Sequence, residues 1–113
     1  MITIWHNPRC SKSRQALALL EERGEEVHVR RYLEDTPSVE DLRLTRDTLD
    51  LRAVEMMRTG EAVFKELGLS KSDDDETLIA AMAANPKLIE RPVVFANGQA
   101  RIGRPSQAVL EIL

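Results

Sequence analysis

The apolar positions of this chain follow two rhythms, and the switches between them outline its elements. Ile2, Ile4 and Trp5 make residues 2–6 a short buried strand. Ala16, Leu17 and Leu20 then recur at helical spacing, which predicts a helix from about Ser11 to Arg23 with Gly24 as its C-terminal cap. Val27, Val29 and Tyr32 mark a second strand. Strand, helix and strand at such close spacing imply parallel strands joined by a right-handed crossover. Helical patterning then takes over. Thr36-Pro37-Ser38 opens a helix, and Ser38 with Asp41 forms a capping-box pattern. Helices are expected over 38–50, about 52–58, about 61–67 and about 75–84. Leu67-Gly68 reads as a stop, and Ser72-Asp73-Asp74-Asp75 as a start with acid at the positive dipole end. Leu78, Ile79 and Met82 give the fourth of these an apolar face, and Asn85-Pro86 ends it. Strand character returns over 92–95, Asn97-Gly98 signals a type I′ hairpin turn, and residues 99–102 pair back antiparallel. Pro105 suits the first turn of a last helix whose core face is Val109, Leu110 and Leu113.

The order is therefore β-α-β, a helical stretch, then β-β-α. That is an α/β fold of thioredoxin-like type: a mixed four-stranded sheet with an all-helical insertion over approximately residues 36–86. A doubly wound sheet would need further parallel strands, and the middle of the chain supplies none. The 113 residues fit a single domain, 1–113, with one core.

Composition narrows the function classes. Apolar content of 42% and charged content of 31% are ordinary for a globular protein. The net charge of -3 argues against nucleic acid as a partner. Positive charge is local instead, at Arg9, Lys12 and Arg14 and again at Arg91, Arg101 and Arg104. No apolar run approaches the ~20 residues that cross a bilayer, and no charged segment with a long apolar stretch precedes the first strand, so neither a membrane nor an export signal is expected. One cysteine cannot form an internal disulfide, which fits a reducing cytoplasm. Cys10, His6 and His28 are too few soft ligands for a zinc site, so no metal and no bound cofactor are expected.

The candidate chemistry centres on Cys10, within His6-Asn7-Pro8-Arg9-Cys10-Ser11-Lys12-Ser13-Arg14 at the strand-to-helix turn. Backbone N–H groups at a helix start have no intrahelical partner, and the dipole there favours negative charge. Such a setting lowers a thiol pKa and produces a nucleophilic thiolate. Arg14, one turn beyond Cys10, can lie on the same face and add positive charge. His6 is a second candidate for tuning the thiol and the nearest candidate proton donor. Ser13 is a third tuning candidate, and it stands where a Cys-X-X-Cys protein places its resolving cysteine. A hydroxyl cannot form a disulfide, so an outside thiol must resolve any adduct on Cys10. The alternative for Cys10 is an inert core hydrophobe, as many lone cysteines are.

Several segments in order carry a resemblance over essentially the whole chain. They are the HNPRCSKSR turn at 6–14, Tyr32-Leu33-Glu34, Arg58, Phe64-Lys65-Glu66-Leu67-Gly68-Leu69, Glu90-Arg91-Pro92 and Gly103-Arg104-Pro105-Ser106. With them the chain resembles the glutaredoxin-coupled arsenate reductases of the ArsC type, nearest the short bacterial members with the same turn. The resemblance implies that Cys10 attacks arsenate, that Arg58, Arg91 and Arg104 hold the oxyanion and its adduct, and that Pro92 is cis. It further implies glutathione as co-substrate and glutaredoxin as the protein that takes up the glutathionyl group. Two departures stand out: Arg9 and Lys12 flank Cys10 where better-known reductases carry small neutral residues, and the chain stops right after the last helix. Two other functions remain open on the sequence. One is a monothiol glutathione-linked oxidoreductase, which needs Cys10 but not three arginines. The other is a redox regulator of the Spx type that binds RNA polymerase; that group generally carries a Cys-X-X-Cys switch, absent here.

Overall fold

A computed structural model describes residues 2–113. They form two compact units, one of residues 2–35 with 91–113 and one of residues 36–90. The first unit contains β1 (Ile2–Trp5), α1 (Ser11–Glu22), β2 (Val27–Arg30), β3 (Val93–Ala96), β4 (Gln99–Ile102) and a closing 3-10 helix (Ser106–Ile112). The sheet order is β2-β1-β3-β4. β1 pairs parallel with β2, with Ile4 opposite Val29, and antiparallel with β3, with Ile4 opposite Val94; β3 and β4 form an antiparallel hairpin. This is the mixed, thioredoxin-like sheet expected from the pattern.

Alternation in the strands divides the sheet into two faces. On one face Ile2, Ile4, Val94 and Ala96 pack with Ala16 and Leu20 of α1 and with Val109 and Ile112 of the last helix. On the other, Trp5 and Phe95 meet with ring centroids 5.2 Å apart, and the Arg30 guanidinium lies 5.6 Å from the Trp5 ring. The hairpin turn has positive φ at Asn97 (53°) and Gly98 (73°), as a type I′ turn requires. The Asn97 side-chain amide donates to the Ile112 carbonyl at 2.8 Å and pins the turn to the C-terminal helix.

The second unit contains α2 (Val39–Leu49), a 3-10 turn (Ala53–Met56), α3 (Ala62–Glu66), α4 (Asp75–Ala84) and a second 3-10 turn (Pro86–Leu88). The capping box at Ser38 is complete: the Asp41 N–H donates to Ser38 Oγ at 3.0 Å, and the Ser38 N–H donates to the Asp41 carboxylate at 3.1 Å. Asp74 caps α4 by accepting from the Thr77 N–H at 2.8 Å. Leu78, Ile79 and Met82 are buried as the periodicity requires.

Four expectations need correction. β2 ends at Arg30, and Tyr32 lies in the turn beyond it, buried. The helix expected over 52–58 closes after Met56, because Met57 bridges to Ile89 as extended chain; Arg58 therefore does not terminate a helix. The last helix is 3-10 rather than α, which puts Ile112 in the core with Val109 and leaves Leu110 and Leu113 only partly buried. The third strand is shifted by one residue from the expected 92–95, so Ala96 takes the place given to Pro92.

Candidate functional site

Cys10 is the N-cap residue of α1, with extended backbone (φ -95°, ψ 122°). It reaches that position because the chain turns back directly after β1: the Cys10 N–H donates to the Asn7 carbonyl at 3.0 Å, and the Asn7 side-chain oxygen accepts from the Arg9 N–H at 3.0 Å. No acidic residue occupies the first turn of α1, so nothing there offsets the positive end of the helix. Burial alone would push the Cys10 thiol up. Hydrogen bonding from the Ser13 backbone, the Arg91 side chain with its charge, and the Lys12 backbone outweigh burial, and the thiol pKa is held below its ordinary value. The Arg104 guanidinium adds a contact, Nη2 to Cys10 Sγ at 3.7 Å.

The two arginines arrive from the same segment of sequence. Arg91 precedes β3 and Arg104 follows β4, so the hairpin brings both back to one end of the sheet. Arg104 Nε donates to the Arg91 carbonyl at 3.0 Å and ties the pair together. Both the Arg91–Pro92 and the Arg104–Pro105 peptide bonds are cis; the second was not anticipated by the sequence. Ser106 links the last helix to α1, its hydroxyl lying 3.3 Å from the Lys12 carbonyl and 3.1 Å from Gln15 Oε1.

The other residues singled out around the turn have different tasks. His6 Nδ1 and the Ser13 hydroxyl share a hydrogen bond of 2.6 Å, and the same hydroxyl accepts from the Asn7 N–H at 3.0 Å. Ser13 is fully buried, so its side chain fixes the turn and its backbone serves the thiol. Burial, then the charges of Arg31 and Arg14, hold the His6 pKa below its ordinary value despite the opposing pull of Glu21. A histidine kept neutral in this way is poorly suited to deliver a proton near neutrality. Arg14 Nη1 donates to the Pro8 carbonyl at 2.9 Å, and the groups that lower Cys10 do not include Arg14 or His6. Arg58 belongs to the second unit, where Glu61 and Glu90 pair with it. His28 is exposed on the edge strand β2. Among the described residues no cluster of His, Cys, Asp or Glu could hold a metal, and no helix is long and apolar enough to cross a membrane.

Sequence reasoning missed Gly103. A Cβ there would lie 2.7 Å from Pro92 Cγ and 3.3 Å from Val109 Cγ1, so only glycine lets the end of β4 close against Pro92. The Gly-Arg-Pro-Ser string marks the position, but the reason is a close approach between residues distant in sequence. Gly103→Ala is expected to shift Pro92 and with it Arg91, costing about 1–3 kcal/mol in urea unfolding and slowing alkylation of Cys10 at neutral pH. Ser13→Ala should cost about 1–3 kcal/mol in the same unfolding measurement, because it strands the buried His6 ring nitrogen and the partly buried Asn7 N–H.

The chain can be compared with known proteins on this basis. A family model described as the ArsC family matches residues 5–112. A solved structure, an arsenate reductase from Vibrio cholerae, is 54% identical and superposes with a TM-score of 0.95 over 99% of this chain and 97% of that one. A protein of Escherichia coli (strain K12), described as the uncharacterized protein YfgD, is 53% identical, with 99% of this chain and 96% of that one covered. An arsenate reductase of Neisseria meningitidis serogroup B is 46% identical, with 99% and 97% covered. A thiol held at a helix N-terminus between two arginines thus sits in a chain that matches these relatives almost end to end, and the chain belongs to the ArsC family.

Proposed function

We propose that the protein reduces arsenate to arsenite, with Cys10 as nucleophile, glutathione as the second thiol and glutaredoxin as the protein that regenerates Cys10. The observation that carries this reading is the Cys10 sulfur itself, lowered in pKa and within reach of two guanidinium groups. A thiolate beside backbone N–H donors and arginines is a nucleophile and an anion site in one place. Arginine presents paired N–H donors that match a tetrahedral oxyanion, and it keeps its charge at every relevant pH. Arg91 and Arg104 perform this task, and Arg58 joins them by the family resemblance.

The reaction balances with the residues and co-substrate named. The Cys10 thiolate attacks arsenic and displaces one oxygen, which leaves as water after protonation. The glutathione sulfur then attacks the Cys10 sulfur; the sulfur–arsenic bond breaks and its electron pair stays on arsenic, which leaves as arsenite. The two electrons come from the two sulfurs, which end joined as a mixed disulfide. Cys10 is the only cysteine in the chain, so an outside thiol must clear that disulfide, and glutaredoxin is the class of enzyme that supplies one. A glutathione-linked reaction of this kind belongs in a reducing compartment, and we assign the protein to the cytoplasm on the same grounds. The test is NADPH consumption in a mixture of the protein, arsenate, glutathione, glutathione reductase and glutaredoxin, with each component omitted in turn. Dependence on arsenate and on glutaredoxin is expected; oxidation that continues without arsenate would point to a general thiol oxidoreductase instead.

A further inference from the structure

Two stretches of chain meet at the Cys10 sulfur, and one buried hydroxyl joins them. The first is the start of α1, with Cys10 at the N-cap and Lys12 and Gln15 close behind it. The second is the turn after β4, which carries Arg104. The Arg104 guanidinium is held at two points: Nε donates to the Arg91 carbonyl at 3.0 Å, and Nη2 lies 3.7 Å from Cys10 Sγ. Ser106 opens the last helix two residues later and is 3% exposed. Its hydroxyl hydrogen is shared between two oxygens of α1, the Lys12 carbonyl at 3.3 Å and Gln15 Oε1 at 3.1 Å. Position 106 is thereby tied to position 12, and each stands two residues from a group of the site, Arg104 on one side and Cys10 on the other.

The same two helices also meet through Val109, Ile112, Ala16 and Leu20, but apolar attraction is non-directional. A hydrogen bond weakens steeply with angle and distance, so the Ser106 hydroxyl fixes a register that the apolar contact leaves softer. At 3.7 Å the contact between Arg104 and the sulfur has little slack, and a small slide of one helix along the other removes it. We propose that Ser106 is a positioning residue of the oxyanion site: through Lys12 and Gln15 it locks the Arg104 turn to the start of α1 and keeps the Arg104 charge on the Cys10 sulfur. The meaning of that charge for arsenate rests on the function proposed above, whereas the lock lies wholly within the unit that holds the sheet.

The experiment compares two alkylating reagents on the whole protein at one pH, anionic iodoacetate and neutral iodoacetamide. Both react with the same thiolate, so the ionised fraction cancels in the ratio of their rates, and the ratio reads the positive charge at the sulfur. Ser106→Ala should lower the ratio of iodoacetate to iodoacetamide rates about threefold, and Arg104→Ala at least as much. The double variant should match Arg104→Ala alone, because the hydroxyl acts through that arginine. A purely structural role for Ser106 would not make its effect depend on Arg104. Gln15→Ala alters an exposed helix position, spares the core, and should lower the ratio in the same direction. A wild-type ratio in both Ser106→Ala and Gln15→Ala would overturn the proposal. So would a fall on Ser106→Ala that is as large without Arg104 as with it. With arsenate, Ser106→Ala should lower kcat/KM about threefold as well. A native chain with no arsenate turnover would refute the proposed reaction instead, and the ratio of alkylation rates would still decide whether the lock exists.

Discussion

Cys10→Ser is expected to reduce arsenate-dependent turnover by roughly 10⁴-fold or more, the scale on which an enzyme loses rate when the nucleophile of a covalent mechanism is removed. A serine hydroxyl is not ionised near neutrality and cannot supply the electrons that leave sulfur as a disulfide. The loss will not be an effect on folding. Cys10 occupies the N-cap of α1, where the backbone of Ser13 and Lys12 favours its thiolate. Serine is among the favoured N-cap residues, because its oxygen accepts from the N–H groups of the first turn. The variant should therefore be as stable as the native chain or slightly more so, by about 0.5 kcal/mol. A cysteine at this N-cap is a poorer choice for the helix and a better one for chemistry, which is the conflict expected where function outweighs local propensity. Coupled NADPH oxidation and urea unfolding, run on the same preparation, check both halves of this expectation.

Arg91→Ala should have the second largest effect, lowering kcat/KM for arsenate about 10²–10³-fold, as loss of one charged donor to a developing anion does elsewhere. Its signature is a shifted pH profile. Arg91 hydrogen-bonds the Cys10 sulfur and places a positive charge beside it, and both effects favour the thiolate. Removing them leaves burial to push the thiol up, opposed only by the backbone of Ser13 and Lys12 and by Arg104. The midpoint of iodoacetamide alkylation against pH must then move to higher pH, and the fraction of thiolate at neutrality must fall. The sign of the stability change follows from the same shift. A depressed folded-state pKa contributes stability above the pKa of the unfolded thiol and loses it as pH falls through the folded value. Arg91→Ala should therefore reduce the rise in stability on the alkaline side while leaving acid stability nearly unchanged. An alkylation midpoint that stays in place would mean that Arg91 does not tune the thiol.

Much of the fold could be read from short-range signals. Ser38 and Asp41 announce a capping box, and Asn97-Gly98 announces a turn with two positive φ angles, because both motifs are complete within four residues. Tertiary contacts decided the rest. Tyr32 has strand character yet lies beyond β2, because pairing with β1 ends at the Trp5–Arg30 register. Residues 53–56 begin as helix, but the bridge from Met57 to Ile89 draws the chain into extended form, and no local signal encodes that partner. The last helix tightens to 3-10 form where Val109 and Ile112 pack on α1 and the sheet.

The candidate site divides in the same way. Cys10 was legible because its turn, its helix start and its cationic neighbours are contiguous in sequence. The helix-start N–H donors were legible as a class, and the structure identifies those that favour the thiolate as Lys12 and Ser13. His6, Ser13 and Arg14 drew notice as possible partners of the thiol, and geometry divides them: the Ser13 backbone reaches the sulfur, whereas His6 bonds the Ser13 hydroxyl and Arg14 bonds the Pro8 carbonyl. Gly103 needed three dimensions altogether, since its constraint is the ring of Pro92.

The central claim is that arsenate oxidises Cys10 and glutathione to a mixed disulfide. The most direct test is intact-mass spectrometry of the protein after a single turnover with arsenate and glutathione, in the absence of glutaredoxin, with arsenite measured in the same sample. The prediction is one arsenite released for each chain that gains one glutathionyl group on Cys10, and no gain when arsenate is left out, because reduced glutathione alone is not an oxidant. Arsenite formed without modification of Cys10, or glutathionylation that proceeds equally without arsenate, would contradict it.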